Sequence, residues 1–166
     1  MASLYLSDAR CGRDGADTST LVESFGKIWL YTIAEETWRP SAGERIAMLG
    51  PFPVTGGTQY TARYMEAVFT PGMRAAIHRH SGPEAWYLVS GAQCLETPDG
   101  ITVAHAGEGA AVPEGPPMAL SSVGTETRRS CFSSCMMARS HGSPGWRIGS
   151  QRASARNSGG KIRLTA

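Results

Sequence analysis

Three side chains close together in this sequence have the types and spacing to do chemistry: His78, His80 and Glu84. Neutral imidazole is the commonest protein ligand for transition metals, and a carboxylate adds charge neutralisation and a hard oxygen donor. Two histidines and one carboxylate make the facial triad that suits non-haem Fe(II) or a similar divalent ion, with coordination positions left open. In an extended strand residues i and i+2 share a face, about 7 Å apart, so His78 and His80 point the same way. Ser81, Gly82 and Pro83 supply turn chemistry that brings Glu84 back toward them. The plain alternative is a pair of surface histidines and a solvated glutamate.

The wider spacing is more specific than the trio. The pattern Gly-x5-His-x-His-x3-Glu-x6-Gly is met at Gly72, His78, His80, Glu84 and Gly91. At every fixed position it resembles the first motif of the cupin superfamily. A second cupin motif, Gly-x5-Pro-x-Gly-x2-His-x3-Asn, is met at Gly107, Pro113 and Gly115, but Met118 stands at the histidine position and Ser122 at the asparagine position. The resemblance covers residues 43–129. It implies a double-stranded β-helix, a small jelly roll holding a metal inside its barrel, and it implies dimerisation through the sheets. Met118 is then either a fourth ligand or a neighbour that packs against the site and leaves a position vacant. A thioether is soft and suits Cu(I) better than Fe(II) or Mn(II).

The elements that must position these residues read as short strands. Residues 26–33 are rich in β-branched and aromatic side chains, and residues 44–49 make a second strand that Pro51 and Pro53 are expected to end. Residues 60–69 form a long strand, and residues 73–80 the strand that carries the histidines. Residues 85–90 and 92–97 flank Gly91 as a hairpin. Residues 101–105, 110–113 and 118–123 follow, punctuated by Pro98-Asp99-Gly100, Gly107-Glu108-Gly109 and the corner at Gly115-Pro116-Pro117. Even spacing without a long amphipathic stretch predicts an all-β sandwich or barrel. The 20 glycines and 10 prolines in 166 residues suit such a turn-rich chain. Residues 1–20 read as a flexible leader, residues 21–130 as the barrel domain and residues 131–166 as a basic tail.

The tail fits worst. A jelly roll needs a closing strand after Val123, yet Cys131-Phe-Ser-Ser-Cys-Met-Met lacks alternation and reads as a poor strand. Shifting its codons by one base puts T at the centre of five successive codons, which then specify only apolar residues. Residues from 131 onward therefore read either as a frameshifted sequence that leaves the fold without its closing strand, or as an evolved basic tail. Eight of the 16 Lys/Arg lie in residues 127–166 with none of the 14 acids.

Around the trio, Arg79 is expected to face away as a solvated residue. Trp86 and Tyr87 should point to opposite faces in simple core packing, and His105 and His141 are isolated. Cys11, Cys94, Cys131 and Cys135 show no metal-finger or disulfide framework and read as free thiols, Cys94 as a small core residue. No apolar run reaches the ~18 residues of a membrane helix, and residues 1–10 lack the pattern of a signal peptide, so a cytoplasmic protein is expected. The functional expectation is a metal-binding protein that takes a small-molecule ligand or substrate, with no nucleic-acid or membrane partner and a homodimer by resemblance. The metal is a divalent transition ion among Fe, Mn, Ni, Cu and Zn. Chemistry of the oxygenase or isomerase type stands beside a non-catalytic binding or sensing role.

Overall fold

The computed structural model describes residues 1–8, 19–39, 44–54, 59–137 and 158–163, and among these every regular element is a strand. In chain order they are β1 (Ala2–Asp8), β2 (Ser19–Ser24), β3 (Lys27–Ala34), β4 (Arg45–Phe52), β5 (Gln59–Phe69), β6 (Glu84–Ser90), β7 (Ala92–Thr97), β8 (Gly100–His105), β9 (Gly109–Val112), β10 (Ala119–Val123), β11 (Arg128–Met137) and β12 (Ser158–Arg163). They form three antiparallel sheets, ordered β2-β3-β1-β4, β12-β5-β11-β6-β9 and β10-β7-β8. Residues 73–80 extend the third sheet beside β10 through two isolated bridges, Arg74 to Ser121 and His78 to Met118.

The pairing from β5 onward is nested. The first element pairs with the last, β5 with β11. The second pairs with the second last, residues 73–80 with β10. Inside these, β6 pairs with β9 and β7 with β8. One long hairpin has been wound so that its successive pairs alternate between two sheets. That is the jelly roll, a double-stranded β-helix, as the sequence leads one to expect.

Two cores follow from the two faces of the middle sheet. On β6, Ala85, Tyr87 and Val89 turn toward the first sheet and pack with Leu4, Leu6, Trp29, Tyr31 and Tyr64. Trp86 and Leu88 turn into the barrel, against Leu95, Ala104, Val112, Met118 and Leu120. Strand alternation produces this split, and it places Trp86 and Tyr87 on opposite faces as expected. Removing Trp86 from water stabilises the barrel by about 2–3 kcal/mol.

Several expectations change. Residues 2–8 are no flexible leader: β1 lies between β3 and β4, and Leu4, Tyr5 and Leu6 are buried. β4 runs through Pro51 and ends at Phe52, just before Pro53. It is an edge strand, and a register shift opposite β1 absorbs the extra residue at Gly50-Pro51, which is where proline is tolerated in a sheet. Cys94 is half-exposed rather than a core residue, paired across the outer face with Val103 and Ser121.

The closing strand is present. β11 pairs with β5 from Arg128 to Met137 and with β6 from Arg129 to Ser134, so its ladder is satisfied on both edges. Neighbours on two sides override a weak local propensity, and no shifted reading frame is needed to supply this strand. The expected domain boundary at residue 130 thus falls inside β11, and β12 pairs with the outer edge of β5. His141 and the rest of the tail between β11 and β12 lie outside the described residues, as does Cys11.

Candidate metal centre

The segment carrying the histidines is not the regular strand that its spacing suggests. Three residues lie between the bridges at Arg74 and His78, but only two between their partners Ser121 and Met118. The surplus residue makes a β-bulge at Ala76 and Ile77. Its consequence is a change of face. Met73 and Ala75 turn partly inward, Ile77 is fully turned to solvent, and His78 and His80 return inward at half exposure. Strict alternation from Met73 would have sent both histidines outward with Arg74.

The bulge also holds His78. Its Nδ1 lies 2.7 Å from the carbonyl oxygen of Ala76. A carbonyl only accepts, so Nδ1 carries the proton and Nε2 keeps its lone pair free for a ligand. Ring orientation by a backbone carbonyl is the usual outer support of a metal-binding histidine. His80 sits edge-on to it, with ring centroids 4.7 Å apart at 78°.

Glu84 opens β6, paired with Val112 of β9 and Ser134 of β11, and the residue is 5% exposed. Its Oε2 lies 2.9 Å from His80 Nε2. That nitrogen is buried and, despite the short separation, makes no hydrogen bond. The two groups converge at ion-pair distance but without hydrogen-bond geometry. One ligand atom from each of His78, His80 and Glu84 lies within 4.8 Å of the others. Donors around one ion at about 2.1 Å stand about 3.4 Å apart, so this set needs only a modest closure to hold one. The donor chemistry and the orphaned His80 nitrogen fit a divalent transition metal.

Met118 is directly opposite His78: the His78 amide donates to the Met118 carbonyl at 3.0 Å, and the Met118 amide returns the bond at 2.9 Å. Residues so paired share a face, and the Met118 side chain is buried in the barrel cluster. Ser122 turns to a structural task, its hydroxyl donating to the Thr70 carbonyl at 2.6 Å. Arg79 is exposed as expected and donates to the Gly115 carbonyl. Arg74 is exposed too, paired with Glu96 at 2.6 Å, and His105 is exposed.

Sequence reasoning missed a second polar group inside the barrel. Arg128, at the start of β11, is fully buried, and so are Gln93 and Ser130. Its guanidinium donates to Gln93 Oε1 and lies 3.9 Å over the ring of Phe69. Burial lowers its pKa to about 10, well below the usual guanidinium range, with the negative field of Glu84 acting the other way. A lone Gln in the run from Ala92 to Leu95 was the only signal available.

No family model matches the chain, and no curated protein does. Solved structures similar to it are cupins. A cupin superfamily protein from Desulfitobacterium hafniense aligns at 10% identity over 51% of this chain and 84% of its own, with a TM-score of 0.42. An RmlC-like cupin from Shewanella frigidimarina aligns at 16% identity over 51% and 80%, with a TM-score of 0.41. The Cnp3 cupin domain of Schizosaccharomyces pombe aligns at 12% identity over 72% and 86%, with a TM-score of 0.41.

Proposed function

We propose that this chain is a small metal-binding cupin in which His78, His80 and Glu84 hold one divalent transition ion at the half-open end of the barrel. The observation that carries the proposal is the buried Nε2 of His80, which makes no hydrogen bond, 2.9 Å from the buried carboxylate of Glu84. An unpartnered buried polar atom is costly, and a shared cation satisfies both groups at once. The ion would supply Lewis acidity or oxygen activation. The residues do the rest. Ala76 orients His78, Glu84 neutralises charge, and Trp86, Leu88 and Met118 form an apolar wall that keeps water from one side of the site. Met118 borders the site rather than completing it, which leaves positions open for a small-molecule ligand.

A non-catalytic binding role is the second reading. Glu84 is the one fully buried acid among the described residues, so no separate buried carboxylate stands ready as a general base. Among the described residues no helix is long and apolar enough to cross a membrane. A homodimer remains part of the proposal by resemblance.

Elemental mass spectrometry on the purified protein and on the His78→Ala/His80→Ala variant tests the metal site. Near-stoichiometric metal that is lost in the variant supports it. Metal-free protein that stays empty after reconstitution refutes it. Substrate-dependent oxygen uptake then separates catalysis from binding.

A further inference from the structure

The barrel interior carries a second unmet demand, of opposite sign. Among the described residues, the buried side-chain atoms without a hydrogen-bond partner include Arg128 Nε, Gln93 Nε2 and Ser130 Oγ. All three residues have no measurable exposure. They also share one place in the fold. Ser130 lies opposite Ala67 and Leu88, and Arg128 lies opposite Phe69, all on the barrel side of the middle sheet. Gln93 reaches them from β7 in the facing sheet, and its carbonyl oxygen already accepts from Arg128. That contact fixes the amide's orientation, leaving its NH2 as a free donor beside the guanidinium.

The group thus offers a cation, an N–H, an NH2 and a hydroxyl, and among the described residues no carboxylate makes an ion pair with it, Glu84 acting on Arg128 only through its field. A buried arginine without an acid is expensive to keep, because buried charges are ordinarily paired. A planar, singly charged carboxylate meets this donor set: it accepts from Arg in a fork and has lone pairs left for an amide or hydroxyl. The approach runs past the half-buried His78 and His80, since Arg128, Gln93 and Ser130 themselves have no exposure. Arg128 and Gln93 have several rotatable bonds each, so an entering carboxylate exchanges their mutual contact for two of its own.

We infer that Arg128, Gln93 and Ser130 form a carboxylate-binding subsite inside the barrel, and that the small molecule taken by this protein carries a carboxyl group lodged there. The inference deepens the metal-site proposal by naming a ligand class, and rests on it only for the ligand's other end.

Isothermal titration of chelator-treated protein with acetate, propionate and butyrate, against chloride at matched ionic strength, tests the subsite without metal. Saturable carboxylate binding is expected, weakened about tenfold or more in Arg128→Met. Gln93→Leu and Ser130→Ala give smaller losses and keep the test intact if Arg128→Met does not fold. No saturable binding in the wild type, or equal binding in all folded variants, overturns the subsite. Because the protein is metal-free throughout, failure of the metal reading leaves this result unaffected. Conversely, a metal site found by elemental analysis with no carboxylate binding sinks this inference alone.

Discussion

The sequence motif begins and ends on glycine, and the structure separates the two. Gly72 and Gly91 both have left-handed backbones, with φ +76° and +71°. An L-residue there costs about 1–2 kcal/mol whatever surrounds it. Around Gly72 a Cβ would meet nothing within 4 Å. At Gly91 it would lie 2.8 Å from Arg128 Cα, 3.0 Å from Arg128 N and 3.1 Å from the carbonyl carbon of Thr127. These are backbone atoms of the closing strand and cannot rotate aside, so the hairpin between β6 and β7 must part from β11. Overpacking of that kind adds about 1–3 kcal/mol. Gly91→Ala should therefore cost about 2–5 kcal/mol and Gly72→Ala about 1–2. At roughly 3 °C per kcal/mol for a chain of this size, melting falls by about 6–15 °C and about 3–6 °C respectively. Urea and thermal unfolding followed by circular dichroism give both numbers. A Gly72→Ala loss equal to or larger than that of Gly91→Ala would refute the claim that close approach to Arg128, rather than turn geometry alone, demands glycine at 91.

Three further outcomes follow from named contacts. Met118→His should bind Zn2+ more tightly than wild type in a competition titration, because the residue opposite His78 projects onto its face and imidazole is the better donor; unchanged affinity would mean that this side chain is aimed away from the ion. Cys131 should stay unmodified when native protein is alkylated and mapped by mass spectrometry, and react only in urea, since burial raises its thiol pKa and none of its surface is exposed. Native labelling at Cys131 would contradict the packing of β11 against the first sheet. Burial lowers the folded pKa of Arg128 to about 10, so the unfolded chain holds this proton more tightly. Stability relative to Arg128→Met should therefore rise as pH climbs above about 10, and a flat difference in paired urea titrations there would count against a buried guanidinium without an acid beside it.

Much of this protein was legible in the order of its residues. Glycine and proline punctuation placed β5 to β10 to within a few residues, and the spacing of His78, His80 and Glu84 singled out the trio that the structure gathers within 4.8 Å. Such features are local: turn chemistry and period-two alternation act over a few bonds. Pairing between distant segments is not local. β1 is a strand because β3 and β4 flank it, and β11 closes the barrel because β5 and β6 offer it two ladders, although its serines and cysteines argue weakly for a strand. The face of the histidines was decided at the same level. Counting from the inward Met73 and Ala75, alternation points them outward, and only the surplus residue opposite β10 turns them in and sets the Ala76 carbonyl against His78. Arg128 and Gln93, 35 residues apart, became one polar group only when β7 and β11 faced each other across the barrel. The sequence alone determined which donors the chain possesses; the register of its sheets decided which of them share a space.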